Sequence, residues 1–244
     1  LAAFATTVFI YALDHALDAK VQPKSDGDAQ ASAASRRMVA WVSAMGAASA
    51  IAIVQAPSGA GLVLGLFLAA GAIYGLPLFP GTRAGRLHLY RLKDIPGFKA
   101  WYVGLVVAAV AVALPLVWSG HAMSASAWMM AGFHFVFFAT NVHVFDIRDV
   151  RDDREHGVQT LPVALGVRST RRLLALVNVL WLALVGLAST SGMIGAAAAV
   201  AMAGATLINL AYLAGCNART PSWVYGVVID GLVLSPAALL LLLA

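Results

Sequence analysis

The sequence predicts an all-α, polytopic membrane bundle with eight visible helices and its active site at the cytoplasmic face. Three observations predict it. Of 244 residues, 61% are hydrophobic and only 11% are charged, whereas a soluble domain carries roughly 25% charged residues. Apolar runs of the length that crosses a hydrocarbon core, about 20 residues, recur along the whole chain. The charges are confined to alternate connections between those runs. A disordered chain is excluded, because disorder requires low hydrophobicity. A disulfide scaffold is excluded too, since Cys216 has no second cysteine to pair with. The net charge of +5 reflects membrane topology and not nucleic acid, because of where the basic residues fall.

The first run, Leu1 to about Asp14, is partial. It has no basic segment before it and no small-residue cleavage site after it, so it does not read as a signal peptide. The expectation is of a chain trimmed inside a helix. Seven full runs follow: Met38–Ala56, Gly59–Leu78, Phe98–Trp118, Ser124–Phe145, Arg172–Thr190, Gly192–Gly215 and Trp223–Ala244. Gly65, Gly71, Pro115 and Pro236 fall inside runs, and both residue types are commoner in membrane helices than in soluble ones. The runs lack the period-two alternation of a membrane barrel, so strands are not expected. The whole chain reads as one transmembrane domain.

All 16 Lys and Arg residues lie in four connections. The first long loop carries Lys20, Lys24, Arg36 and Arg37, and the second Arg83, Arg86, Arg91, Lys93 and Lys99. The third carries Arg148, Arg151, Arg154, Arg168, Arg171 and Arg172, and the last connection has Arg219. The connections near Pro57, Gly120 and Ser191 carry none. The positive-inside rule therefore places the long loops in the cytoplasm and the protein in the cell inner membrane. Those loops also hold 10 of the 11 acidic residues. Long loops in compact proteins tend to be functional, so the chemistry is expected on that side.

Two acidic clusters abut apolar runs. Asp14 and Asp18 are four apart and share a face if helical; Asp146, Asp149 and Asp153 follow an i, i+3, i+7 pattern and do the same. Carboxylates stacked in this way repel one another. A hard cation offsets the repulsion, and Mg²⁺ characteristically takes one or two carboxylates plus substrate phosphates. Two facing clusters could hold Mg²⁺ ions that bridge a diphosphate. Zinc is not expected, because there is no HExxH and no cysteine cluster.

The segment Asp149-xxx-Asp153-Arg154-xx-Gly157-xx-Thr160-Leu161-Pro162, ending in Gly166, resembles the second aspartate motif of the UbiA-type intramembrane prenyltransferases. Asp14-His15-xx-Asp18 is similar to the end of their first motif, NxxxDxxxD. Tyr74-xx-Pro77, followed by Arg91-Leu92-Lys93-xx-Pro96-xx-Lys99, is similar to their central loop. The resemblance runs over the whole chain. It implies nine helices, so one would precede Leu1. It also implies Mg²⁺-dependent transfer of a prenyl group from a prenyl diphosphate to a lipophilic, often aromatic acceptor within the membrane, with release of pyrophosphate. The sequence departs from the motif at Ile10, where the family has Asn, and at Tyr11, which is often Asp. Ile10 cannot coordinate a metal, so a weaker or altered first site is expected.

On this reading Asp14, Asp18, Asp146, Asp149 and Asp153 hold the metal, and Lys93, Lys99 and Arg154 stabilise the diphosphate. Tyr74, Tyr102 and Phe138 are the aromatic faces available to a developing allylic cation. His134, Phe138, Asn141, Phe145 and Asp149 form a helical stripe expected to line the prenyl or acceptor cavity. The competing reading is that His134 and Asn141 only bond neighbouring helices. Asn178 and Asn209 are read as interhelical bonds, and Asp230 as an ionisable group inside the last span. Two other functions stay open. A secondary transporter would use Asp230 as an ion carrier, although transporter sites lie near the midplane. A non-catalytic relative would bind isoprenoid lipid without consuming it, and Ile10 makes that plausible. The partners expected are prenyl diphosphate, a lipophilic acceptor and membrane lipid, with no nucleic acid.

Overall fold

The computed structural model describes residues 29–83, 86–92, 97–155 and 157–229, with scattered positions within 2–10, at 95 and within 231–242. Each of the eight expected spans contains described helical residues, and the all-α bundle is the fold that forms. The long elements are α1 (Ala29–Gln55), α2 (Ser58–Gly75), α3 (Lys99–Trp118), α4 (Ala125–Glu155), α6 (Val167–Thr190) and α7 (Ala196–Gly215). A short α5 (Leu161–Leu165) precedes α6, and a π-helical turn, Val224–Ile229, lies in the last span. Among the described residues, α3, α4, α6 and α7 are long and apolar enough to cross a membrane. Val39–Gln55 and Gly59–Gly75 are shorter apolar helical segments.

Three elements differ from the sequence reading. α1 begins at Ala29, well before the apolar run that starts at Met38, because the intervening Ala29–Ser35 is rich in alanine, the best helix former. α4 continues past Phe145 to Glu155, through residues expected in a loop. The connection after α2 is a β-hairpin and not a coil, with β1 (Pro77–Arg83) and β2 (Arg86–Arg91) paired antiparallel. α2 stops at Gly75 because Leu76 precedes Pro77, and that position disfavours the α region. Leu76 is accordingly extended, with ψ 142°. Pro77 and Pro80 lack N–H donors, which a two-stranded hairpin tolerates because both its strands are edges.

The chain divides into two compact units. The first comprises residues 1–92 and 113–122. Within it, the rings and methyls of the first span fill hollows left by glycine: Phe9 lies against Gly46, and Ile10 against Gly71. In the hairpin the Tyr90 ring lies across Gly81, where a Cβ would sit 2.6 Å from it.

The second unit comprises residues 93–112 and 123–244, and α4 is packed against α6 and α7 within it. One face of α6 buries Leu174, Asn178 and Val185, while Leu176, Val179, Leu180 and Leu187 stay exposed. Polar inside and leucine outside is the arrangement suited to lipid, where helices gain little by hiding apolar surface from one another. The asparagines make the interhelical bonds expected of them. Asn178 Nδ2 donates to Thr140 Oγ1 of α4 at 2.8 Å, and Asn209 Nδ2 donates to the Phe137 carbonyl at 3.4 Å. Arg171, near the start of α6, donates to the carbonyls of Ala214 and Cys216 at the end of α7.

Close approach of α3 to α4 depends on Gly104. A Cβ there would lie 2.9 Å from both the backbone nitrogen and the Cβ of Ala139. Gly104→Val should therefore force the two helices apart and cost about 2–3 kcal/mol, as overpacking does. Thermal unfolding in detergent measures this. An unchanged midpoint would show that α3 shifts freely.

Candidate active site

The site is built on the polar end of α4. The apolar run ends at Phe145, and no Gly or Pro interrupts the ten residues after it, so the helix has no reason to stop. It stops at Gly157, which has φ +72°. There the Val158 N–H donates to the Asp153 carbonyl at 2.7 Å and the Gly157 N–H to the Arg154 carbonyl at 3.3 Å. That pair of bonds is the Schellman motif, which satisfies the last carbonyls of a helix. Asp146, Asp149 and Asp153 are thus carried on rigid helix, with Asp149 and Asp153 about one turn apart.

The three carboxylates have different surroundings. Asp146 is buried, and its Oδ1 lies 3.4 Å from Nζ of Lys99, the first residue of α3. Its Oδ2 lies 3.5 Å from Nδ1 of His143, outside hydrogen-bonding geometry. The His143 ring is itself fully buried and packs edge-on to Trp101 at 5.0 Å between centroids. Asp149 is held by its neighbour: Arg148 Nε donates to Oδ1 at 2.6 Å and Nη2 to Oδ2 at 2.7 Å.

Asp153 accepts a hydrogen bond from Thr160 Oγ1 at 3.1 Å. Thr160 is buried in the segment following Gly157. That segment is anchored in turn by Gly97, whose N–H donates to the Gln159 carbonyl at 2.7 Å. Asp153 lies beyond the apolar part of α4. Burial pushes its carboxyl above the usual range, and the charges of Asp146 and Asp149 push the same way, while Thr160 and Lys99 oppose them. Arg154 is exposed in the last turn of α4.

Further back along α4, Asn141 is buried and accepts a hydrogen bond from the Tyr212 hydroxyl of α7. His134 Nδ1 meets the Met130 carbonyl at 2.9 Å, and its ring stacks on Phe138 at 6.0 Å. Both residues therefore make bonds within the bundle. Tyr74 is half-buried in the last turn of α2, in the first unit. Asp14, Asp18, Lys93 and Asp230 lie outside the described residues. Ile10, in the Asn position of the first motif, has its side chain packed into the hollow at Gly71.

Sequence reasoning did not single out Arg148, His143, Tyr212 or Tyr225. Arg148 Cζ lies 5.1 Å from the Phe145 ring centroid and 4.9 Å from that of Tyr225. Nothing local signals this contact, because Tyr225 comes from the last span.

Among the described residues, no group of three or more His, Cys, Asp or Glu side chains forms a ready-made metal cage. The donor set still suits a hard cation. It is all oxygen, two of its members sit one turn apart, and the upward push on Asp153 from Asp146 and Asp149 records a repulsion that a cation would relieve.

A model of the UbiA prenyltransferase family matches residues 1–242. No curated protein matches. Two solved structures are similar in fold. One is a UbiA homolog from Archaeoglobus fulgidus bound to Cd²⁺, with TM-score 0.66 and 15% identity, covering 97% of this chain and 83% of that one. The other is the apo structure of a UbiA homolog from Aeropyrum pernix K1, with TM-score 0.66 and 17% identity, covering 99% and 84%.

Proposed function

The chain belongs to the UbiA prenyltransferase family and is an integral membrane protein, and from that premise we propose that it transfers a prenyl group from a prenyl diphosphate to a lipophilic acceptor. The observation that carries the proposal is the rigid polar end of α4, which presents Asp149 and Asp153 one turn apart in the same unit as Lys99. The tail of the substrate is apolar and belongs among the helices. Its diphosphate is highly charged and belongs at the polar boundary, on the cytoplasmic side of the inner membrane by the positive-inside rule.

Asp149 and Asp153 would hold Mg²⁺, with Asp14 and Asp18 forming the second carboxylate pair. Mg²⁺ supplies Lewis-acid neutralisation of the departing diphosphate. The chain supplies the rest. Thr160 fixes the Asp153 carboxylate. Lys99, Lys93 and Arg154 offer cationic donors to the diphosphate oxygens, which gain charge as the C–O bond breaks. Asp146, read from the sequence as another ligand, is assigned to orienting Lys99. Phe138 offers a ring face to the allylic cation. His134 and Asn141 set the wall through which the acceptor approaches.

Pyrophosphate release from geranylgeranyl diphosphate, in detergent with lipid extract, tests the reading. Release that requires Mg²⁺ and stops with chelator is expected, and a labelled lipid product would identify the acceptor. Ile10 favours a second reading, because it is packed on Gly71 and brings no ligand to the first motif. On that reading the chain binds isoprenoid diphosphate in a Mg²⁺-dependent way and releases no pyrophosphate. Absence of both binding and release would overturn both readings.

A further inference from the structure

Arg148 differs from the other basic residues of α4. Arg151 is an exposed side chain paired with Glu155 at 3.0 Å, the sort of surface pair that contributes little. Arg148 is two-thirds covered, and its guanidinium lies against two rings, those of Phe145 and Tyr225, which themselves pack 5.4 Å apart. Tyr225 is fully buried, and its hydroxyl donates to the Asn217 carbonyl at 3.1 Å. It belongs to the π-helical turn, a departure from regular helix that is frequent at functional sites. The last span thus fixes a buried ring against the Arg148 guanidinium. From there Arg148 spans both oxygens of Asp149 in a bidentate, charge-assisted fork.

We propose that Arg148 is a built-in counter-ion for the cation site. It takes up both oxygens of Asp149 and yields at least one of them when a divalent cation binds. This rests on the reading of Asp149 and Asp153 as metal ligands. A cation arriving alone has to displace the guanidinium from its carboxylate. A cation arriving with a diphosphate brings an anion to which the released N–H donors can turn. Arg148 therefore couples the two ligands, so that the metal is held well only when diphosphate is present. Phe145 and Tyr225 hold the guanidinium beside Asp149 before the exchange.

The test is Mn²⁺ binding to the full chain in detergent, followed by electron paramagnetic resonance, with and without inorganic pyrophosphate. Arg148→Gln should tighten binding of Mn²⁺ alone by about tenfold, the size of one charge-assisted hydrogen bond, and shrink the enhancement that pyrophosphate gives. Arg148→Lys, which keeps the charge but loses the fork, should fall between Arg148→Gln and the parent. Tyr225→Leu, which leaves Arg148 in the sequence but removes its support, should also tighten Mn²⁺. Unchanged or weaker Mn²⁺ binding in a folded Arg148→Gln would overturn the proposal. Asp153→Asn serves as the control on the underlying reading. If the parent binds no Mn²⁺, or binds it equally well with Asn at 153, the metal-site reading itself fails and this inference falls with it.

Discussion

Asp153→Asn and Asp149→Asn should each reduce prenyl transfer by at least about a hundredfold, since a Lewis acid contributes several kcal/mol and each 1.36 kcal/mol is a factor of ten. The reason is charge and not shape. Asn keeps the size of Asp and retains one oxygen, so it can still accept the Thr160 hydrogen bond and leave the end of α4 intact. The loss should therefore come without unfolding. For Asp153 the stability should even rise. Its carboxyl titrates above the ordinary range in the folded protein, chiefly through burial. A carboxyl so raised destabilises the fold once it is ionised. Its cost sets in as pH rises through the unfolded value and is fully present above the folded one. Asn removes that cost at neutral pH. Pyrophosphate release and thermal midpoint, measured on the same preparation, separate the two effects. Activity retained in both variants would remove these carboxylates from the mechanism.

Lys99→Met should destabilise the protein by about 2 kcal/mol, less than the loss of a fully buried partner because Lys99 is partly exposed. The cost does not come from the missing attraction alone. Asp146 is 4% exposed and would be left in a buried place without its cationic partner, with the His143 ring nitrogen 3.5 Å away. Adding Asp146→Asn should accordingly restore most of the lost stability. It should not restore transfer, because the cation intended for the diphosphate is still missing. A double variant no more stable than Lys99→Met would show that the pair is not what stabilises this corner.

Much of this was legible in the sequence because it is periodic or local. The apolar runs and the spacing of Asp149 and Asp153 are patterns within single helices, so a linear reading finds them. The interhelical roles of Asn178 and Asn209 were legible for a related reason: a polar amide inside an apolar run has few other uses. The hairpin at Pro77–Arg91 was not legible, since two prolines and a glycine blur its alternation and read as coil. Nor was the continuation of α4, because charged residues after an apolar run look like a loop. The contacts of Arg148 with Tyr225 and of Asn141 with Tyr212 join segments about seventy or more residues apart, and no local pattern encodes them. Asp14, Asp18 and Lys93 stay where the sequence left them, outside the described residues.

The direction of α4 has a consequence for the order in which ligands arrive. Its carboxylates lie in its last turns, at the end where aligned peptide dipoles place roughly half a negative charge. Anion sites are usually built at the opposite end of a helix. This end repels a bare diphosphate and attracts a cation, and Asp149 and Asp153 deepen both tendencies. A diphosphate should therefore reach α4 together with its metal, and without metal its affinity should fall as salt is lowered.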